Sequence, residues 1–399
     1  MQRGSGRSRL ASLLANFGLS AITLVVLLMV LEFGVFRYIL VPDDVLPNVS
    51  INNVVRYLPG TTAVFRHPDG STSTATINAD GWNSTKPDYP LAPPDGVLRI
   101  AVVGDSYVQA SYIDTAKAFP EVLERTLNAR GVKAEVLRFG MDGAPMSQYL
   151  WMLRREVLRY RPDVVVIPLI HNDFDESYRF IGTRYNSSFM KIGTDAAGKT
   201  VELAPSEFQP GLADSLRDLR TFRYLYYETN AYLKLKGLVT RYVWGKEQDY
   251  EPQFISSAVD IRNITEHDKI RWATRYIMAE MKQLSQEHGF MLAFVMDGVR
   301  EAVYAGKDRS QYQVSALNGI AAEITTELGL PFLDLQRTFA TDYAVANERF
   351  EYPWDWHWNG RGNRLVGEAI ADMLIGDPRL LPMGARRLTA LDGGDPVAQ

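Results

Sequence analysis

The stretch VLRIAVVGDSY, residues 97–107, decides the fold. It is apolar from Val97 to Val103 except at Arg99, and it stops at a glycine followed by Asp105 and Ser106. A continuous run of this kind, rather than apolar/polar alternation, suits a strand covered on both faces. Four more such runs follow: AEVLRFG (134–140), DVVVIPLI (163–170), FMLAFVMD (290–297) and LPFLDL (330–335). Helical spacing separates them, over roughly 118–129, 147–159, 311–328 and 359–375, with an acidic stretch after 173. Another helix, over about 266–287, leads into the fourth run. This alternation predicts a three-layer α/β fold on a parallel sheet with right-handed crossovers. Ligands in such sheets sit beyond the carboxyl ends of the strands, so the chemistry is sought there.

Toward the N-terminus, Arg3, Arg7 and Arg9 precede the uncharged segment Leu10–Leu31, LASLLANFGLSAITLVVLLMVL. That is the length an α-helix needs to cross hydrocarbon. The basic flank places its own side in the cytoplasm and everything after Glu32 across the membrane. A cleavable signal peptide is the alternative, but no clean small-x-small site precedes EFGVFRYILVP.

The whole chain has 399 residues, 46% hydrophobic and 23% charged, which excludes wholesale disorder. Its 43 Lys and Arg against 47 Asp and Glu leave a net charge of −4, with no sign of a nucleic-acid surface. The absence of cysteine excludes disulfides, thiol nucleophiles and iron–sulfur clusters. The mean hydropathy of −0.15 averages an apolar anchor with a polar body.

We divide the chain into a cytoplasmic tip and anchor (1–40), an extension with a hairpin in RHPDGSTSTATINADGW (41–95), two catalytic parts (96–182 and 261–380), an insertion (183–260) and a loose tail (381–399). The insertion is rich in tyrosine, at 185, 224, 226, 227, 232, 242 and 250. It reads either as a lid or as a helical pair whose aromatics are core.

Four strand ends carry polar residues: Gly104-Asp105-Ser106-Tyr107, Gly140-Met141-Asp142-Gly143, His171-Asn172-Asp173 and Trp354-Asp355-Trp356-His357-Trp358-Asn359. A serine after a strand on a glycine turn is placed as an exposed nucleophile. The polar trio at 171–173 is costly to bury, which predicts a cleft. Asp355 and His357, two apart in an extended segment, point the same way. Of the histidines at 67, 171, 267, 288 and 357, only His171 and His357 are serious candidates, and His357 with its adjacent acid is the better base. A metal site from Asp105, His171, Asp173, Asp355 and His357 matches no familiar ligand spacing.

Taken together, GDSY, GMDGAPMSQ, HND and DWHW resemble the four blocks of the SGNH/GDSL hydrolases, in the family's order Ser, Gly, Asn, His. INADGW and AFPEVLERTL resemble its membrane-anchored bacterial members, and the likeness covers roughly 76–182 and 265–376. The resemblance implies a flavodoxin-like sheet, Ser106 as nucleophile, His357 as base and Asp355 as the acid orienting it. It implies an oxyanion hole of the Ser106 N–H, the Gly143 N–H and the Asn172 amide. Asp105, Tyr107, His171, Asp173, Trp356 and Trp358 are then candidates for substrate contact, with no cofactor and no metal.

Two positions depart from the family pattern. The acid lies two residues before the base rather than three, as in relatives of the alginate O-acetyltransferase type. Arg138 replaces a common asparagine, either as a cleft-facing anion binder or as a sheet-end residue. Tryptophans 354, 356 and 358 suit either stacking on sugar rings or core packing. The resulting expectation is a single-pass protein of the bacterial inner membrane, its catalytic domain in the periplasm or outside the cell. It would be a serine esterase on short-chain, acetyl-type esters of envelope or exported polysaccharide. The alternatives are an O-acyltransferase of the same fold and a non-catalytic polysaccharide-binding or assembly protein. Its partners would be an acylated carbohydrate or other ester and the membrane, not nucleic acid.

Overall fold

The computed structural model describes residues 5–179, 188–229 and 263–380. Two compact units emerge: residues 1–45 with 210–251, and residues 46–209 with 252–399. Arg3, the tyrosines at 185, 232, 242 and 250, and the tail from 381 lie outside the described residues.

In the second unit, five strands form one parallel sheet in the order Phe332–Asp334, Met291–Met296, Val164–Leu169, Leu98–Gly104, Ala134–Gly140. Numbered along the chain, that is 2-1-3-4-5 read from the far edge, the flavodoxin-like order whose switch point lies between the first and third strands. The three central runs are apolar because both faces are covered. Helices Met146–Arg155, His267–His288 and Ser315–Glu327 pack on one face. Phe119–Ala129, Gln336–Ala346 and Gly360–Gly376 pack on the other. Pairing between the first and third strands runs only from Ile100↔Val164 to Val102↔Val166. It ends two residues before Pro168, which has no N–H to give a ladder. The two strand ends therefore part where the switch-point crevice opens.

Residues 46–95 are no loose appendage. Two antiparallel hairpins, Asn48–Ile51 with Val54–Tyr57 and Thr62–Arg66 with Thr72–Thr76, bury Val54, Ala75 and Trp82 in the same core as the sheet. The insertion is not one body either. Residues 188–209 belong to this unit and form a hairpin, Lys191–Thr194 with Thr200–Leu203, instead of a helical pair. Glu202 pairs there with Arg154, and Thr200 accepts from the Trp272 indole.

A buried ion pair ties the extension to the sheet layer. Arg56 donates to Glu156 at 2.7 Å, and Asn52 and Tyr160 donate to the same carboxylate. Burial alone would push this carboxyl up, but the Arg56 hydrogen bond and charge, with Asn52 and Tyr160, outweigh it and hold it at about 2, against 4.5 for a free glutamate. A depressed folded-state pKa adds stability above the unfolded value and loses it as pH falls through the folded one. Thermal unfolding followed by circular dichroism is expected to show Tm falling as pH drops from about 4.5 toward 2. Glu156→Gln should lower Tm at neutral pH and flatten that dependence, and an unchanged slope would refute the assignment.

In the first unit, a helix from Ser5 to Val30 continues through a wide turn at Leu31–Val35. The span Ser12–Tyr38 is long and apolar enough to cross a membrane, with mean hydropathy 2.5, and its part up to Val30 is exposed around its girth. Residues 212–229 form short helical turns within this same unit.

Candidate active site

Strand Leu98–Gly104 delivers Asp105 to the N-cap of a single helical turn, Ser106–Gln109. The Asp105 carboxylate accepts from the Tyr107 N–H at 2.9 Å, and Ala110, in the left-handed region, ends the turn. The turn lies directly on the neighbouring strand end. A Cβ on Gly140 would meet the Gln109 nitrogen at 2.1 Å, so only glycine allows this approach.

His357 arrives from the far end of the chain. A short hairpin, Glu351–Tyr352 with Asp355–Trp358, carries Asp355 and His357 on one face just before helix Gly360–Gly376, which Asn359 caps. His357 Nε2 is 2.7 Å from Ser106 Oγ, and its Nδ1 is 2.5 Å from Asp355 Oδ1. The same carboxylate oxygen accepts from the His357 backbone N–H at 2.7 Å. Burial pushes the Asp355 carboxyl up, but the His357 hydrogen bonds and charge bring it net below the ordinary range. An ionised Asp355 only accepts, so Nδ1 carries the proton, and Nε2 is left to accept from the serine hydroxyl. The arrangement can remove the Ser106 proton while the hydroxyl oxygen attacks an electrophile.

Around this core the structure assigns partners that sequence reasoning missed. Tyr112 stacks on the His357 ring with centroids 4.1 Å apart, and Tyr107 lies against it at 4.6 Å. Buried Arg300 donates to the Trp356 carbonyl at 2.8 Å, to the Tyr107 hydroxyl at 3.0 Å and to Glu351 at 3.1 Å. Tyr107 itself donates to the same Trp356 carbonyl at 2.9 Å. The peptide between acid and base is thus fixed by the neighbour of Ser106 and by one arginine. Nothing in the sequence marks Arg300, since arginine in the first turn of a short helix is ordinarily a surface residue.

Of the expected contact residues, Asp105, His171 and Asp173 lie beneath the site, whereas Tyr107 and Trp358, though buried themselves, wall the pocket beside Ser106. Asp105, Tyr107, His171, Asp173 and Trp358 are all buried. His171 meets Asn318 at 2.9 Å, Asp173 accepts from the Tyr149 hydroxyl at 2.6 Å, and the Trp358 indole donates to Asp297. Burial lowers the His171 pKa and raises those of Asp105 and Asp173, the latter also through the Asp105 charge. The polar trio at 171–173 therefore does not face a cleft as a whole. Its outer residues are satisfied internally, and Asn172 is the one left partly exposed. Arg138 is also internal: it pairs with Glu121 at 2.9 Å and donates to the Asn83 and Gln109 carbonyls, which excludes a cleft-facing anion binder.

Trp356 remains 43% exposed. Trp354 stacks with Tyr352 and with His67 of the extension. Gly143 adopts φ +68°, where a side chain would be strained, and is partly exposed on the loop after Gly140. Within the described residues, no hydrogen bond takes up the Ser106 N–H, the Gly143 N–H or the Asn172 amide. Ser106 opens onto a narrow pocket walled by Tyr107, Ala110, Tyr112, Ile113, His357, Trp358 and Asn363. No group of three or more metal-ligating side chains occurs among the described residues.

No protein-family model matches the sequence, and no curated protein matches it. Among solved structures, the chain is similar to the acetyl xylan esterase AlAXEase, at 15% identity and TM-score 0.38, over 70% of this chain and 98% of that one. It is similar to a lipase/acylhydrolase from Enterococcus faecalis at 17% identity and TM-score 0.36, over 70% and 96% of the two chains. A catalytic mutant of Axe2, an acetylxylan esterase from Geobacillus stearothermophilus, gives 12% identity and TM-score 0.38, over 71% and 97%.

Proposed function

We propose that this chain is a membrane-anchored serine esterase of the SGNH/GDSL type, working through an acyl-enzyme on short-chain esters carried by a polysaccharide. The observation that carries the reading is the unbroken relay from Ser106 Oγ through the His357 ring to Asp355, at 2.7 and 2.5 Å. In the proposed first step, Ser106 Oγ attacks the ester carbonyl and its proton passes to His357 Nε2. The tetrahedral oxyanion is met by the Ser106 and Gly143 N–H groups and the Asn172 amide. The imidazolium then returns the proton to the departing sugar oxygen, and water repeats the sequence to release the acid. No cofactor enters these steps.

Crowding beside Ser106 by Tyr107, Tyr112 and Trp358 supports a small acyl group, such as acetyl, over a long chain. Exposed Trp356, with Trp354 nearby on the same hairpin, offers ring faces to a sugar. The apolar span and the Arg3, Arg7 and Arg9 flank support an inner-membrane anchor with the body in the periplasm or outside the cell.

The test is mass spectrometry of O-acetylated glycans incubated with the full chain in detergent, with and without an activated acetyl donor. Loss of acetyl groups with release of free acetate is expected. Acetyl gain that depends on the donor would instead make it a transferase. Unchanged glycans that nonetheless bind would favour the non-catalytic reading.

A further inference from the structure

The segment after the span carries a carboxylate in an awkward place. Leu10–Leu31 provides 22 apolar or uncharged residues, about 33 Å of helix, so Glu32 falls at the edge of the hydrocarbon. A charge at that depth is costly unless it is bonded. Glu32 is bonded: its two oxygens accept from the backbone N–H groups of Arg220 and Thr221 at 2.9 and 2.8 Å. The same docking recurs further along. Arg223 pairs with Asp44 at 2.6 Å, and the Tyr224 ring lies 4.7 Å from that of Phe36. A segment more than 180 residues away in sequence is thereby fastened at the point where the span leaves the membrane.

That segment turns three leucines outward, together with Ser215 and Asp218. Leu212 is 78% exposed, Leu219 46% and Leu225 45%, beside Arg217, Arg220 and Arg223. On the anchor side, Tyr38 and Ile39 are exposed as well. Exposed leucines next to tyrosines and to arginines that pair with Asp44 and Asp214 suit the headgroup layer, where apolar tips reach acyl chains and the polar groups stay at the interface.

We infer that residues 212–226 form a collar lying in the headgroup layer of the bilayer that the anchor crosses, its partner being the phospholipid surface. The inference rests on the anchor reading. Lipid covers the three leucines, and the Glu32 contacts fix the depth at which it does so.

The chain has no cysteine, so a single introduced cysteine can be labelled uniquely. Leu219→Cys, Leu225→Cys and Val25→Cys each replace an exposed side chain, which leaves the packing intact. Each full-length variant carries a bimane label in phosphatidylcholine nanodiscs containing lipid spin-labelled either near the headgroup or at mid-chain. At 219 and 225, emission should fall to roughly half with the shallow label, with little effect from aqueous iodide. At 25, the mid-chain label should quench more strongly. Quenching of 219 and 225 by iodide alone, with 25 still quenched at mid-chain, overturns the collar and leaves the anchor standing. Absence of lipid quenching at 25 overturns both.

Discussion

Replacing Ser106 with alanine is expected to abolish hydrolysis of a small activated acetyl ester, by on the order of 10⁵–10⁶-fold in kcat. The side chain is small and nearly buried, and its hydroxyl contacts are to His357 and, at 3.5 Å, to Asp105. Alanine therefore fits without a clash, and circular dichroism should be unchanged. A fluorophosphonate should label the wild-type chain at Ser106, and the Ser106→Ala variant nowhere. Turnover near wild-type in that variant, or labelling at another residue, refutes the serine mechanism. A metal-dependent hydrolase would also be separated by this test, because its activity would survive loss of the hydroxyl and fail with a chelator.

Asp355→Asn should cost on the order of 10⁴-fold in kcat with KM little altered. The reason lies in the proton inventory of the relay. A carboxylate accepts only, which forces the proton onto His357 Nδ1 and leaves Nε2 basic. An amide can donate through its NH₂, which permits the opposite tautomer and removes the negative charge that stabilises the imidazolium. Because Asp355 also accepts from the His357 backbone N–H, Asp355→Ala would disturb the hairpin as well, and asparagine is the cleaner probe. Steady-state kinetics on a chromogenic acetyl ester measures the effect. A loss confined to KM would mean that Asp355 binds substrate and does not orient the base.

The central sheet was legible because its runs are buried on both faces, so that hydrophobicity alone marks them. Val164–Leu169 and Met291–Met296 each lie one residue inside the runs read at 163–170 and 290–297. The helices at 300–305 and 336–346 were not read, since they are short or mixed in polarity. The hairpin at 191–203 escaped because its four-residue strands sit within a tyrosine-rich stretch that reads equally well as helix.

The site divides along similar lines. Ser106 and His357 follow from strand-end position and from scarcity, with only five histidines to choose among. His171 and Asp173 were expected in a cleft because lone polar groups resist burial. That cost vanishes once Asn318 and Tyr149 supply partners, and neither partner is near in sequence. Arg300 was illegible for the same reason: its work on the Trp356 carbonyl exists only in three dimensions.

The distance along the chain between Ser106 and His357 has a temporal meaning. The Ser106–His357 hydrogen bond closes a loop of 251 residues. On the proposed topology, with the chain threaded across the membrane anchor first, the serine would emerge early and wait for nearly the whole body to follow. Until residue 357 arrives and the hairpin docks against Tyr107 and Arg300, Ser106 is an ordinary alcohol. On the proposed topology, export and assembly of the relay would coincide, and esters on the near side of the membrane would never meet the paired serine.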